Sequence, residues 1–144
     1  MNGKLHQDTM AAVRLRLALV RLTRALRQGN TAGLSASQLS ALSTIDEYGP
    51  LRLSALAERE SIGAPVATRV VASLEELGLV SRSNDPLDKR ASLVRLSNEG
   101  QETINVIWNR RTLGLSTRLD MLTNAERATI EAALPALERM AREF

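Results

Sequence analysis

The stretch from Ser54 to Gly100 constrains the fold more than any other part of the chain. Ser54 stands where it can cap a helix over 55–60. Ser61, Ile62 and Gly63 follow as a turn, with Gly63 free to take a positive φ that a side chain resists. Pro65 then falls in the first turn of a further helix, where its missing N–H costs nothing. Ala67, Val70, Val71, Leu74 and Leu77 recur at spacings of three and four, which makes them the buried stripe. Pro65, Val66, Thr68, Arg69, Ala72 and Ser73 are left outward, and Gly78 stops the helix. Residues 79–83 and 92–96 read as strands. The segment Asn84 to Arg90 between them is too long for a tight two-residue turn and predicts a protruding loop with charge at its tip. Helix, sharp turn, helix and hairpin, in that order, build a winged helix-turn-helix, which lays its second helix in a DNA major groove with the hairpin loop beside it.

The flanks add helices. Residues 8–28 carry two apolar stripes, Met10, Val13, Leu17 and Val20 on one and Leu15, Leu19, Leu22 and Leu26 on the other. One can pack on its own subunit and the other on a partner chain. Gly29 and Gly33 break that helix, and Ser35 is placed to cap a second that ends near Tyr48, before Gly49 and Pro50. Leu51 to Leu53 suits a small edge strand. Ser97 starts a long helix through about Arg118, with Ile104, Ile107, Trp108 and Leu115 as its apolar positions. Thr123 with Glu126 forms a capping box for a last helix towards Phe144, with Ile130, Leu134, Leu137 and Met140 to bury and a local kink expected at Pro135. The fold class is therefore mainly α (α+β): one unit over 1–144, with a winged helix-turn-helix core over 34–97 and dimerisation helices over 5–28 and 98–144.

Composition removes other classes. The absence of cysteine excludes disulfides, thiolate metal sites and a cysteine redox switch within the chain, and His6, in an N-terminus expected to be loose, is the only histidine. With no glycine-rich phosphate loop and no clustered carboxylate pair, no catalytic residues, metal site or cofactor are expected, and an enzyme is excluded. Nothing has the pattern of a signal peptide or approaches the roughly 20 apolar residues of a membrane span, so the expected setting is cytoplasmic, without a membrane partner. Net charge is +3 and the basic residues are almost all Arg, a ratio that codon bias in a GC-rich genome accounts for as well as function does. Arg14, Arg16, Arg21, Arg24 and Arg27 crowd the first helix, where they read as a solvated face.

Three segments resemble the MarR family of bacterial winged-helix repressors: Leu53 to Ala57, Pro65 to Val80, and above all Asp85 to Gly100. The last carries Asp-x-x-Asp-Lys-Arg, a strand, Leu-Ser and an Asn-Glu-Gly helix start, similar to that family's wing. The resemblance implies a homodimer built from the terminal helices, a recognition helix beginning near Pro65, and a wing in which Arg90 reaches the minor groove with Asp88 positioned to orient it. It also implies a small-molecule effector, aromatic or anionic, held where the dimer helices meet the DNA module. The chain departs from the pattern at Gly63, where many relatives carry Ser or Thr, and at Ala64 and Val66, which cannot hydrogen-bond base edges and leave thymine methyl contact as their means of readout.

The candidate DNA-reading set is thus Ala64, Pro65, Val66, Thr68, Arg69 and Ser73 on the recognition helix and Asp88, Lys89 and Arg90 on the wing. Arg69 can grip a guanine or a phosphate, or pair with Glu75 or Glu76. Arg90 can enter a narrow minor groove, or belong to an ordinary soluble turn. Ser35, Ser37, Gln38 and Ser54 can donate to phosphates, although Ser35 and Ser54 serve equally as caps. Trp108 and Arg111 can line an effector pocket, or Trp108 can be core packing. The expected function is a ligand-responsive repressor on a pseudo-palindromic operator. The alternative is a winged-helix adaptor that binds protein and not DNA, which the balance of seven basic and six acidic residues over 52–95 leaves open.

Overall fold

The computed structural model describes residues 2–27 and 31–142; the side chains of residues 2–8 and of Lys89 fall outside that description, as does the expected helix break at Gly29. Among the described residues, six helices and three short strands follow in the order α1 (Asn2–Arg27), α2 (Ala36–Tyr48), β1 (Leu51–Arg52), α3 (Leu53–Arg59), α4 (Ala64–Glu76), β2 (Val80–Asp85), β3 (Asp88–Leu96), α5 (Asn98–Asp120) and α6 (Asn124–Arg142). The first helix begins well before residue 8 and includes the backbone of His6, because no proline interrupts residues 2–7 and Lys4, Leu5 and Gln7 are good helix formers.

Local chemistry places three of the helix starts. Ser35 accepts from the Gln38 N–H at 3.2 Å while the Gln38 side chain accepts from the Ser35 N–H at 2.8 Å, a reciprocal box that opens α2. Ser97 accepts from the Gly100 N–H at 2.9 Å to open α5. Thr123 and Glu126 do the same for α6, which runs on through Pro135. The start of α3 differs from expectation. Its cap is Arg52, without a side-chain bond, and Ser54 lies one residue inside the helix with its hydroxyl exposed. The strand ends at Arg52, so Leu53 already turns into the helix.

The core lies under the central module. Leu42 and Ile45 of α2, Leu56 of α3, Val71 and Leu74 of α4, Val94 of β3, and Ile104 and Ile107 of α5 are almost wholly withdrawn from water. Leu79 and Val80 close it at the start of the hairpin. The sheet is antiparallel in the order β1–β3–β2, with Leu51 opposite Val94 and Val80 opposite Leu96. Leu77, expected in the buried stripe of α4, is half exposed, because it caps the helix just before Gly78 turns left-handed at φ 73°.

Outside this module the apolar stripes stay uncovered. Among the described side chains of α1, only Leu15, Ala25 and Leu26 are partly covered, while Met10, Val13, Leu17, Leu19, Val20 and Leu22 face outward. Both stripes are thus largely open, and the expectation that one packs on its own subunit holds only at those few positions. Leu115 of α5 and Ile130, Leu134 and Met140 of α6 are exposed too, and α6 buries no residue.

Candidate nucleic-acid interface

The turn before α4 has a different geometry from the expected one. The positive φ falls on Ser61, at 52°, whereas Gly63 is extended at φ −69° and acts as the N-cap without a side chain. Gly63 instead leaves the helix entrance open, since a Cβ there would meet only the Pro65 ring at 3.7 Å. Ala64, Pro65 and Val66 occupy the first turn and are exposed. Thr68 and Arg69 follow on the same outward side, and Ala72 and Ser73 are half-buried.

Most polar groups on this face are already engaged. The Thr68 hydroxyl donates to the Ala64 carbonyl at 2.8 Å. Ser73 donates to the Val70 carbonyl at 2.8 Å and accepts from the Gln38 side chain at 3.1 Å, which ties the start of α2 to the far half of α4. Gln38 and Ser35 are therefore committed within the protein, and Ser37 lies within 3.3 Å of the Ser35 hydroxyl. Arg69 makes no ion pair among the described residues; Glu75 instead receives Arg82 of β2 at 2.8 Å, binding the hairpin to α4.

The wing is tighter than expected. Pro86 and Leu87 alone join β2 to β3, so the tip is apolar and Leu87 is 91% exposed. The register steps from Asn84 opposite Ser92 to Asp85 opposite Asp88, which leaves residues 89–91 bulged out of the ladder. Arg90 thus sits in a bulge behind the tip and not at the tip itself. The cause is Asp85, a buried carboxylate that accepts the Leu87 N–H at 2.8 Å and both Nε and Nη2 of Arg52, at 2.7 and 2.6 Å. Arg52 also reaches Asp88 at 4.0 Å. The Leu87 N–H, then Arg52, hold the Asp85 carboxyl below its ordinary value despite burial that pushes it up.

Asp88 contacts Arg90 through the backbone: its carboxylate accepts the Arg90 N–H at 3.0 Å. The Arg90 side chain is exposed with no ion pair among the described residues. Lys89 shares the bulge, its side chain lying outside the described residues. Sequence reasoning missed the Arg52–Asp85 link. Asp85 opened the wing motif, but its partner lies 33 residues upstream in a two-residue strand.

Behind this module, Trp108 is half-buried against the core and the Arg111 guanidinium stacks over its ring at 5.0 Å from the centroid. Both expected pocket residues adjoin a cavity of about 260 Å³, with Leu26, Arg27 and Leu115. A neighbouring cleft of about 430 Å³ is lined by Arg27, Thr31, Ser40, Ser43, Thr44, Glu47 and Arg111. Burial, then the charge of Arg27, press the Arg111 guanidinium below its ordinary value. Among the described residues, no group of three or more His, Cys, Asp or Glu is placed to hold a metal ion, and no helix is long and apolar enough to cross a membrane.

These elements define a winged helix-turn-helix protein. The MarR family model matches residues 34–92. An uncharacterised helix-turn-helix-type transcriptional regulator of Mycobacterium bovis is 40% identical over 130 residues, covering 90% of this chain and 91% of that one. The crystal structure of a transcriptional regulator from Pseudomonas aeruginosa superposes with a TM-score of 0.80 at 33% identity, over 94% of this chain and 96% of that one. Two further structures share the fold alone: a MepR mutant of Staphylococcus aureus bound to an oligodeoxyribonucleotide (TM-score 0.66, 16% identity, 91% and 97% covered) and Bordetella bronchiseptica BpsR, whose DNA binding is regulated by 6-hydroxynicotinic acid (0.61, 23%, 90% and 98%). The chain belongs to the MarR family: it is a DNA-binding transcriptional regulator, in a family of regulators that are not enzymes.

Proposed function

We propose that the protein is a homodimeric repressor that grips a pseudo-palindromic operator with two copies of α4 and the wing, and releases it when a small aromatic or anionic effector binds. The observation that carries the reading is the disposition of charge on the head. Asp85 is answered by Arg52, which also reaches towards Asp88, and Glu75 by Arg82, so the repulsion of these acids for phosphate is partly offset, while Arg69 and Arg90 stand exposed without an ion pair among the described residues. The open apolar faces of α1, α5 and α6 are the surfaces a second copy would cover, setting the two recognition helices about 34 Å apart, one turn of duplex. Arg27 and Arg111 beside Trp108 offer an anionic aromatic molecule two cations and a ring. By occupying that site in one spacing of the heads, it would lower DNA affinity by its differential binding. The DNA-bound and effector-regulated proteins of the same fold support this reading by likeness.

Fluorescence anisotropy on duplex from the protein's own upstream region, across a salt series, tests it. A dimer engaging about six to ten phosphates loses affinity with a log–log slope of about 0.9 per phosphate. Arg90→Ala flattens that slope by about 1 to 2, and Arg69→Ala relaxes sequence preference by about 1–3 kcal/mol per base contact. A flat slope without specific binding would refute the reading, and partner binding that survives high salt would favour a protein-binding adaptor.

A further inference from the structure

Resting on the DNA-binding reading, we infer that the first turn of α4 reads thymine by its 5-methyl group, so that each operator half-site carries thymines where Ala64, Pro65 and Val66 meet the major groove. The side chains there are apolar, and Val66 is 37% exposed although it belongs to no core cluster. No capping side chain stands at Gly63 to add a polar group. One turn further on, the Thr68 proton is spent on the Ala64 carbonyl, which leaves its methyl and a lone pair outward. Ser73, at the far end of the face, has its proton on the Val70 carbonyl and its oxygen under Gln38. Among the described side chains of this face, Arg69 is therefore the single free hydrogen-bond donor. In the major groove, thymine differs from the other bases by offering an apolar group, and apolar side chains can discriminate only by covering it. Where a cytosine amino group or a purine N7 lay against Val66 in place of a methyl, it would be left without a partner, which selects against the other bases at the same positions.

The test uses the full-length protein and a high-affinity duplex selected from random sequence. Each thymine of the half-site is replaced in turn by deoxyuridine, which removes the methyl and alters no hydrogen bond. Affinity is expected to fall about fourfold for each methyl returned to water at the contacted positions, and not elsewhere. Val66→Ala, an exposed change that leaves the core intact, should shrink that discrimination while the salt dependence stays steep. Equal affinity for thymine and deoxyuridine duplexes, or selected half-sites lacking thymine, overturns the inference while leaving DNA binding standing. Failure to bind any duplex overturns both.

Discussion

Gly100 is the residue at which the winged-helix module is pressed against the long helix behind it, and adding one methyl group there should show how tightly. A Cβ at Gly100 would lie 1.9 Å from the Leu79 carbonyl oxygen and 2.9 Å from its carbon. That carbonyl accepts the Ser97 N–H at 3.0 Å, and Ser97 donates to the Gly78 carbonyl at 2.5 Å. The end of α4, the start of the hairpin and the start of α5 thus meet within a few bonds. Relief of the overlap demands an opening of about 1 Å or more. Overpacking of that kind costs about 1–3 kcal/mol, loss of the Ser97 bond adds about 1, and the helix preference of alanine returns at most about 1. Gly100→Ala should therefore destabilise by about 1–3 kcal/mol in urea unfolding followed by far-ultraviolet circular dichroism at fixed protein concentration. Gly114, on the same helix, provides the control. A Cβ there meets only the Arg118 guanidinium, at 3.9 Å, so Gly114→Ala should stabilise by about 0.5–1 kcal/mol. If the two substitutions shift stability in the same direction, or Gly100→Ala changes it by less than about 0.5 kcal/mol, the account of this junction is wrong.

Gly63→Ser should raise stability by about 0.3 kcal/mol in the same unfolding assay, because the cap position has room for a Cβ and its hydroxyl can accept a first-turn N–H. Leu42→Ala, in a fully buried side chain, should cost about 2–5 kcal/mol, whereas Leu87→Ala at the exposed wing tip should stay within about 0.5 kcal/mol; equal effects would mean that the core is misplaced. The pH dependence follows from two depressed carboxylates: Asp85, held down first by the Leu87 N–H and then by Arg52, and Glu126, held down by the Thr123 N–H and hydroxyl. A folded pKa below the unfolded one gives stability that is fully present above the ordinary carboxylate range and lost as pH falls through the lowered values. Urea midpoints should thus decline below about pH 4, and Asp85→Asn should flatten that decline; an unchanged slope would remove Asp85 from the cause.

The helices were legible because their ends are set by residues three apart. Ser35 with Gln38 and Thr123 with Glu126 each carry both halves of the box within one turn of sequence, and Ser97 finds its partner in the Gly100 N–H just as close. The wing was legible as a motif but not as a shape. Its turn shortens to two residues because Asp85 is fixed by Arg52, a partner that no local spacing reveals. The loop before α4 was misjudged for a related reason. Glycine was expected to take the left-handed conformation, yet Ser61 takes it, and Gly63 serves as an open cap. Ser54 was misplaced as a cap by a strand that ends one residue early. Which polar side chains are already engaged was not legible either, since a hydroxyl or amide carries no sign of being spent, as Gln38 and Ser73 are on each other.

Charge shows the same limit from another side. Over residues 52–95 the sum of seven basic and six acidic groups is nearly neutral, and taken alone it left a protein-binding adaptor open. The folded chain does not present that sum to a ligand. Arg52 is consumed by Asp85 and Asp88, Arg82 by Glu75, and Arg59 lies over the Tyr48 ring at 3.7 Å. Screening makes each exposed pair worth little to stability, but it does not restore the paired charges as independent sources of field. The field near α4 and the wing is set by what pairing leaves over: among the described residues Arg69 and Arg90 are exposed without an ion pair, and Glu76, at the far end of α4, is an unpaired acid set against them. A nearly neutral composition is therefore compatible with local cationic spots at Arg69 and Arg90, because paired charges cancel locally whereas a phosphate backbone samples a surface a few ångströms at a time.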